Sequence, residues 1–432
     1  MFNQGKARPS EGLLSMLLLT STVNANGLNF PFPFNATEPV TFRASVDPSF
    51  VKETVLKASL YRPSIDLLDA EVSNAGATEG PSRANMTNLA TTWANDYDWF
   101  KSENEIFGNF SHYAVTVPGG QGFDHPVPLH FVHERSDVED AIPLLLLHGW
   151  PSSHLEWSKV IGPLTSPEDG ADAQAFHIVA PDLPGYGFSP APTYSGMGSR
   201  QIGAALDQLM KKLGYDNYGV VSTDLGWWTG LYLADMVPDS IIGHYSDFWL
   251  IEPNATDLER LAQNQTTDEE TAYINSYQTW FNEHYVHGPV HALAPLAIGQ
   301  AMTDTPVGFA GWVWHLMHPI SDGYPYTYEE LITQTMMLFI QGTFGNMRHY
   351  KPVFQEDNID IPKTTVPTGV GQWGSPNGPL ESYKNIHLVP RDWMERIVNV
   401  VYVSKHESGG HFPANNVPDL YVEDLREFFG SL

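Results

Sequence analysis

The stretch YGVVSTDLGWWTG, residues 218–230, sets one acid, Asp224, between a β-branched apolar run and a segment that begins at once with Leu225, Gly226, Trp227 and Trp228. Small residues flank it at Ser222 and Gly226, so a strand can turn sharply into a helix there without Cβ collisions. This is the steric logic of a nucleophile elbow with a carboxylate at its apex. Free N–H groups at the start of the helix favour an ionised side chain. An ionised carboxylate attacks a saturated carbon, in a strained ring or a carbon–halogen bond, and leaves an ester. A serine in the same place makes an acyl ester from an activated carbonyl, so the acid selects the reaction class. An aspartate is also an ordinary helix N-cap, and the pentapeptide alone leaves both readings open.

Two further segments bear on the choice. SGGHFP follows the apolar run IVNVVYV and puts His411 in a glycine-flanked loop, beyond the carboxyl end of a strand where parallel sheets bind ligands. A histidine there is a base that activates water against the ester. HGWP, residues 148–151, follows the run LLLL. Main-chain N–H groups near Trp150, together with that of Leu225, are candidates for holding the oxyanion formed when water attacks. Taken singly, a lone histidine is usually structural and HGWP is a plain tight turn. The three segments in this chain order are far more specific than any one.

The surrounding elements must bring these groups together. Residues 1–25 hold Lys6 and Arg8 ahead of LLSMLLLTSTV and a small Ala25, the pattern of a secretory signal and too short for a stable bilayer span. Residues 26–130 read as an N-terminal meander, in which SFVKETVLKASLYRP and ATTWANDYDWFKSENEIF have helical spacing. Over 131–250, strand runs (AIPLLLLHGWP, AFHIVAPDLPGYGFS, YGVVSTDLG) alternate with the helix IGAALDQLMKKLG, which predicts a mainly parallel sheet. From 251 to 365 the rhythm turns helical and rich in aromatics and Met, read as a cap; its aromatic stripes are core packing or the lining of an apolar pocket. The sheet resumes over 366–432.

Composition narrows the function. Fifty acids against 22 bases give a net charge of −28, which repels phosphate backbones and argues against nucleic acid. Zero cysteines exclude disulfides and thiolate metal sites. No metal site is expected, because the 17 histidines lack ligand spacing, and no glycine-rich phosphate loop implies a nucleotide; the reaction class asks for no cofactor. Five Asn-x-Ser/Thr sequons, at Asn35, Asn85, Asn109, Asn254 and Asn264, suit a glycoprotein that is secreted or held in the endomembrane lumen or vacuole.

The chain resembles the epoxide hydrolases of the α/β-hydrolase fold, of the microsomal and juvenile-hormone type with fungal members among them, from about residue 40 onward. The likeness rests on LLLLHGWPSSHLEW, PDLPGYGFS, STDLGWW, TPVGFAGW, GTFGNMRHYKP and ESGGHFPA. It implies an α/β-hydrolase fold with a helical cap, no cofactor, Asp224 as nucleophile, His411 as base, and Trp150 and Leu225 as oxyanion-hole donors. It also implies that Tyr350, in MRHYKP, is one of two cap tyrosines that donate a proton to the opening epoxide, and that Trp227 borders the substrate. The position matching the first cap tyrosine, eight residues before Pro295, is His287; Tyr285 reaches it only in a shifted register.

A second departure concerns the acid that orients the histidine. The matching position in ESYKNIHLVPRDW is Asn385, which cannot balance an imidazolium. Asp247, after the preceding strand in GHYSDFW, is the expected replacement, with Asn385 as its neutral partner and Glu381 a weaker candidate. The implied reaction is opening of an apolar or natural-product epoxide to a vicinal diol, an ether-bond hydrolysis of EC 3.3.2 type suited to secondary metabolism. The expected partner is the small-molecule epoxide, with a second copy of the chain as a candidate homodimer. Three alternatives stay open: an epoxide-opening cyclase or isomerase, a haloalkane dehalogenase, against which Tyr350 speaks, and a non-catalytic binding protein on a decayed hydrolase fold.

Overall fold

A computed structural model describes residues 27–66, 79–167, 173–355 and 363–432; the leader expected over 1–25 lies outside them. Among the described residues nine strands, β1 (Val40–Thr41), β2 (His112–Val117), β3 (Val127–Glu134), β4 (Ile142–Leu147), β5 (Phe176–Pro181), β6 (Tyr218–Ser222), β7 (Ile241–Ser246), β8 (Pro367–Trp373) and β9 (Asn399–His406), form one sheet in the order β1-β2-β3-β5-β4-β6-β7-β8-β9. Pairing is antiparallel from β1 through β3 to β5 and parallel from β5 through β4 to β9.

The run LLLL is apolar throughout because both faces of β4 are covered. Leu145 and Leu147 pack with Val179 and Val220 on one face, and Leu144 and Leu146 with Ile178 and Val221 on the other. This alternation follows from the two-residue period of a strand. The C-terminal helix Pro418–Gly430 covers the second face with Leu425, Phe428 and Phe429.

Two sequence expectations differ from the structure. Part of the N-terminal meander expected ahead of the core belongs to the sheet itself, since β1 and β2 extend it. The segment ATTWANDYDWFKSENEIF is not one helix but parts of two, Arg83–Asn95 and Trp99–Asn109. The break falls at Asp98, whose side chain accepts from the N–H groups of Phe100 and Lys101 and so competes with helix continuation.

Between β7 and β8 the described chain is helical, from Ala255–Ala262 through Tyr350–Gln355, and it covers the carboxyl ends of the strands. Polar side chains tie this cap to the core. Trp150 Nε1 donates to Asn346 Oδ1 at 3.1 Å, Gln334 donates to Pro151 O at 2.7 Å, and Gln341 donates to Gly187 O and Ser189 O.

The loop PDLPGYGFS beneath the cap is held by Asp182. Its buried carboxylate accepts from the rings of His130 and His154, each at 2.8 Å, and from the N–H groups of His154 and Phe188. Burial pushes this carboxyl up, but the charge and hydrogen bonds of His154 and His130 outweigh it and hold it well below the usual range. Asp182→Asn is expected to lower the unfolding free energy by about 3 kcal/mol, the order found when one partner of a buried ionic pair is removed. A shift of the urea midpoint at constant slope would register it, and an unmoved midpoint would show that the loop is held otherwise.

Candidate active site

β6 ends at Ser222, Thr223 stays extended, and Asp224 opens the helix Asp224–Met236 with φ +45°. A left-handed backbone at a non-glycine residue costs on the order of 1–3 kcal/mol. Gly226 allows the turn to sit close to β4, since a Cβ there would meet Leu147 O at 2.4 Å. Gly149 is equally constrained, because a Cβ there would lie 2.2 Å from Asp224 Oδ1.

This close approach sets the hydrogen bonds of Asp224. Trp150 N–H donates to Oδ1 at 2.7 Å, and the N–H of Leu225 acts on the same carboxylate. Oδ2 is 3.8 Å from His411 Nε2. Burial raises the Asp224 carboxyl to about 7, against the lowering by those two N–H groups. The helix start therefore does not by itself keep the acid charged, as its sequence suggested; desolvation outweighs it.

His411 stands five residues beyond β9 in a loop that needs its glycines. Gly409 and Gly410 have φ of +132° and +63°, and His411 N–H donates to Ile320 O at 2.9 Å. The ring is buried, which holds it well below the usual histidine range and thus neutral, with His387 adding to the effect.

Neither Asp247 nor Asn385, the positions expected for a relay, meets His411 Nδ1. His411 Nδ1 is 3.2 Å from the hydroxyl of Tyr383, which is 2.7 Å from His387 Nε2. Asp247 is buried beyond the end of β7, and neither carboxylate oxygen has a hydrogen-bond partner. Burial raises it to about 7, against the lowering by the nearby hydroxyls of Thr223 and Tyr421. Asn385 is half-buried at the end of the 3-10 turn Glu381–Asn385. Glu381 is exposed and pairs with Lys384 at 2.6 Å. All three were reasonable by position after a strand, but which side chain meets Nδ1 depends on how that turn packs.

Tyr285, His287 and Tyr350 share one cavity with Asp224 and His411, walled by apolar side chains including Trp228, Phe248, Leu316 and Phe354. Tyr350 is buried and its hydroxyl has no partner. Burial, then the charge of Asp224, lifts both phenols well above 10, so both remain proton donors. His287 lies parallel to the Trp150 ring at 5.5 Å and meets Tyr350 edge-on at 5.5 Å. Burial holds it neutral. Tyr285 gains its place from a π turn, Trp280–His284, closed by its own N–H on Trp280 O at 2.8 Å. A π turn holds one residue more than an α turn, which shifts where the chain leaving that helix places Tyr285. Trp227 does not border the cavity. It is fully buried against Trp249 and Phe248, and Trp228, one residue on, takes that place.

Among the described residues, His130, His154 and Asp182 are the group with metal-ligand spacing. Both histidine Nδ1 atoms in it are already bonded to the carboxylate, and none of the three borders the cavity. No helix among them is long and apolar enough to cross a membrane.

A mainly parallel sheet, an acid elbow after β6 and a histidine after β9 under a helical cap define an α/β-hydrolase. Family models agree: "Epoxide hydrolase N terminus" matches residues 39–157 and "alpha/beta hydrolase fold" residues 142–288. The juvenile hormone epoxide hydrolase of Bombyx mori is 27% identical over 415 residues, covering 90% of this chain and 86% of its own. Epoxide hydrolase 1 of Sus scrofa is 26% identical over 384 residues, covering 80% of each chain. The crystal structure of the Bombyx mori enzyme superposes with a TM-score of 0.78 at 26% identity, covering 91% of this chain and 95% of that one. The Aspergillus niger epoxide hydrolase, at 22% identity and TM-score 0.75 over 94% of this chain and 99% of that one, shares the fold. The chain is an enzyme of the epoxide hydrolase family, of the microsomal and juvenile-hormone type.

Tyr285, Tyr350 and His287 are the candidate cap donors in this cavity. Tyr285→Phe and Tyr350→Phe are each expected to slow covalent capture of an epoxide by 10-fold or more, on the order of a lost general acid, and His287→Phe by less than about 3-fold. Rapid-quench measurement of the first turnover decides, and a larger loss from His287→Phe would reverse the assignment. In the same assay the capture rate should rise with pH through about 7, as the half-buried Asp224 carboxyl ionises.

Proposed function

We propose that the enzyme opens an apolar or natural-product epoxide to a vicinal diol through an alkyl ester on Asp224. The observation that carries this reading is one carboxylate with its two oxygens differently engaged. Oδ1 accepts from the Trp150 N–H, while Oδ2 lies beside His411 Nε2. Oδ2 attacks a ring carbon, and the opening C–O bond leaves its electron pair on an oxygen that accepts a proton from Tyr285 or Tyr350. Oδ1 becomes the ester carbonyl oxygen. His411 Nε2 then removes a proton from water as the water oxygen bonds to the ester carbon, and the Trp150 and Leu225 N–H groups stabilise the oxyanion. As the intermediate collapses, the departing diol oxygen takes the C–O electron pair and the His411 proton. The second water proton, left on the Asp224 carboxyl, returns to the tyrosinate, which restores both carboxylate and phenol. The apolar walls formed by Trp228, Phe248, Leu250, Leu316, Ile320 and Phe354 favour a lipophilic substrate.

Asn385 in place of a relay acid favours one second reading, a cyclase in which a hydroxyl of the substrate replaces water. Repeated turnover in heavy-oxygen water tests both. Hydrolysis through the ester places label in the Asp224 carboxylate and then in the diol, whereas a product and a protein both free of label would favour cyclisation. Asp224→Asn should form no ester under any condition.

We further propose passage through a secretory compartment. Asn35, Asn109, Asn254 and Asn264 are exposed and Asn85 is half-buried, which supports glycan attachment at the sequons. Glycosidase treatment of protein made in a eukaryotic host should lower its mass, and an unchanged mass would remove this support.

A further inference from the structure

Tyr383 and His387 have no part in the steps above, yet both border the cavity and Tyr383 contacts the base. The bonds run from His411 Nδ1 to Tyr383 Oη at 3.2 Å and from Tyr383 Oη to His387 Nε2 at 2.7 Å. All three side chains are buried. Tyr383 lies in the turn Glu381–Asn385 and His387 two residues beyond it, so one short segment carries both.

The role of His411 sets the direction of these bonds. Its Nε2, which faces Asp224, must keep a free lone pair to take a proton from water, so the ring hydrogen is on Nδ1. Nδ1–H then donates to the phenol oxygen, and the single phenol hydrogen is left to donate to His387 Nε2. His387 holds its own hydrogen on Nδ1, which has no hydrogen-bond partner. Burial keeps both histidines neutral, lowering His387 to about 3, and keeps the phenol protonated. The charges of Asp224 and Asp247 both reach Tyr383, a field that favours positive charge along this line.

We infer that Tyr383 and His387 stand in for a relay carboxylate, as a positioning pair that orients His411 and takes over its positive charge while water attacks the ester. This rests on the alkyl-ester reading proposed above. When Nε2 accepts the water proton, the Nδ1 hydrogen passes to the Tyr383 oxygen and the phenol hydrogen passes to His387 Nε2. One N–H and one O–H bond break, one of each forms, and the charge moves from His411 to His387 with the phenol unchanged. As the tetrahedral intermediate collapses, the departing diol oxygen takes the C–O electron pair and the Nε2 hydrogen. The two transfers then reverse. Water is the only co-reactant.

The test is rapid-quench kinetics with a panel of lipophilic epoxides, styrene oxide among them, on the wild type, Tyr383→Phe, His387→Gln and the double variant. Both single variants should form the Asp224 ester within about 3-fold of the wild-type rate and hydrolyse it on the order of 10²-fold more slowly. The double variant should be no slower than Tyr383→Phe, because one wire is cut once. In mixtures of light and heavy water, ester hydrolysis by the wild type should follow a bowed curve, the mark of several protons moving together. The variants should give a straight line. Native ester hydrolysis in His387→Gln, or a straight line for the wild type, would overturn the relay while leaving the ester intact. Failure of the wild type to form an ester with any epoxide would overturn the alkyl-ester reading, and the relay with it.

Discussion

The bond from Trp150 N–H to Asp224 Oδ1 is the contact on which the rest of the structure depends. It exists because two strand ends, those of β4 and β6, come close enough for the backbone after one to reach the side chain after the other. Gly149 and Gly226 permit that approach, and the left-handed backbone at Asp224 turns its carboxylate into it. The sheet contributes by its parallel pairing of β4 with β6, from Leu144 opposite Gly219 to Leu147 opposite Ser222. A slip of one residue would turn every side chain to the other face.

Two opposing effects then set the chemistry. Burial beneath an aromatic cap removes water from Asp224 and pushes its carboxyl up to about 7, while the N–H groups of Leu225 and Trp150 pull it down. The balance leaves the group able to ionise at neutral pH and weakly solvated, which suits a nucleophile. The same dryness keeps Tyr285 and Tyr350 protonated and His287, His387 and His411 neutral. A cavity of this kind holds little charge at rest, so any charge formed on His411 would have to be accommodated by what touches it. In this chain that partner is a phenol backed by an imidazole.

The cap is fastened to the core at the points that matter for this geometry. Asn346 accepts from the Trp150 indole and its carbonyl accepts from Tyr186 in the Asp182-braced loop, so the residue that supplies an N–H to Asp224 is braced from above. Tyr350, four residues beyond Asn346, belongs to the same segment. Cap, loop and elbow thus share partners, and displacement of one loads the others.

Much of this was legible in the residues. The acid between small neighbours, the histidine among glycines and the turn after LLLL each encode a local backbone shape, and local shape is what a short stretch of chain specifies. The alternation of strands and helices and the helical cap follow likewise from periodicity. What packing alone decided were choices between neighbours: Trp228 and not Trp227 at the cavity, Tyr285 beside His287 in it, and Tyr383 against His411 Nδ1 where Asp247, Asn385 or Glu381 was expected. β1 and β2 joined the sheet for a similar reason, since strand pairing is satisfied by whichever edge is near. A side chain's partner lies across the fold, often hundreds of residues away in the chain, and one extra residue in a turn redirects it; sequence spacing carries no record of that distance.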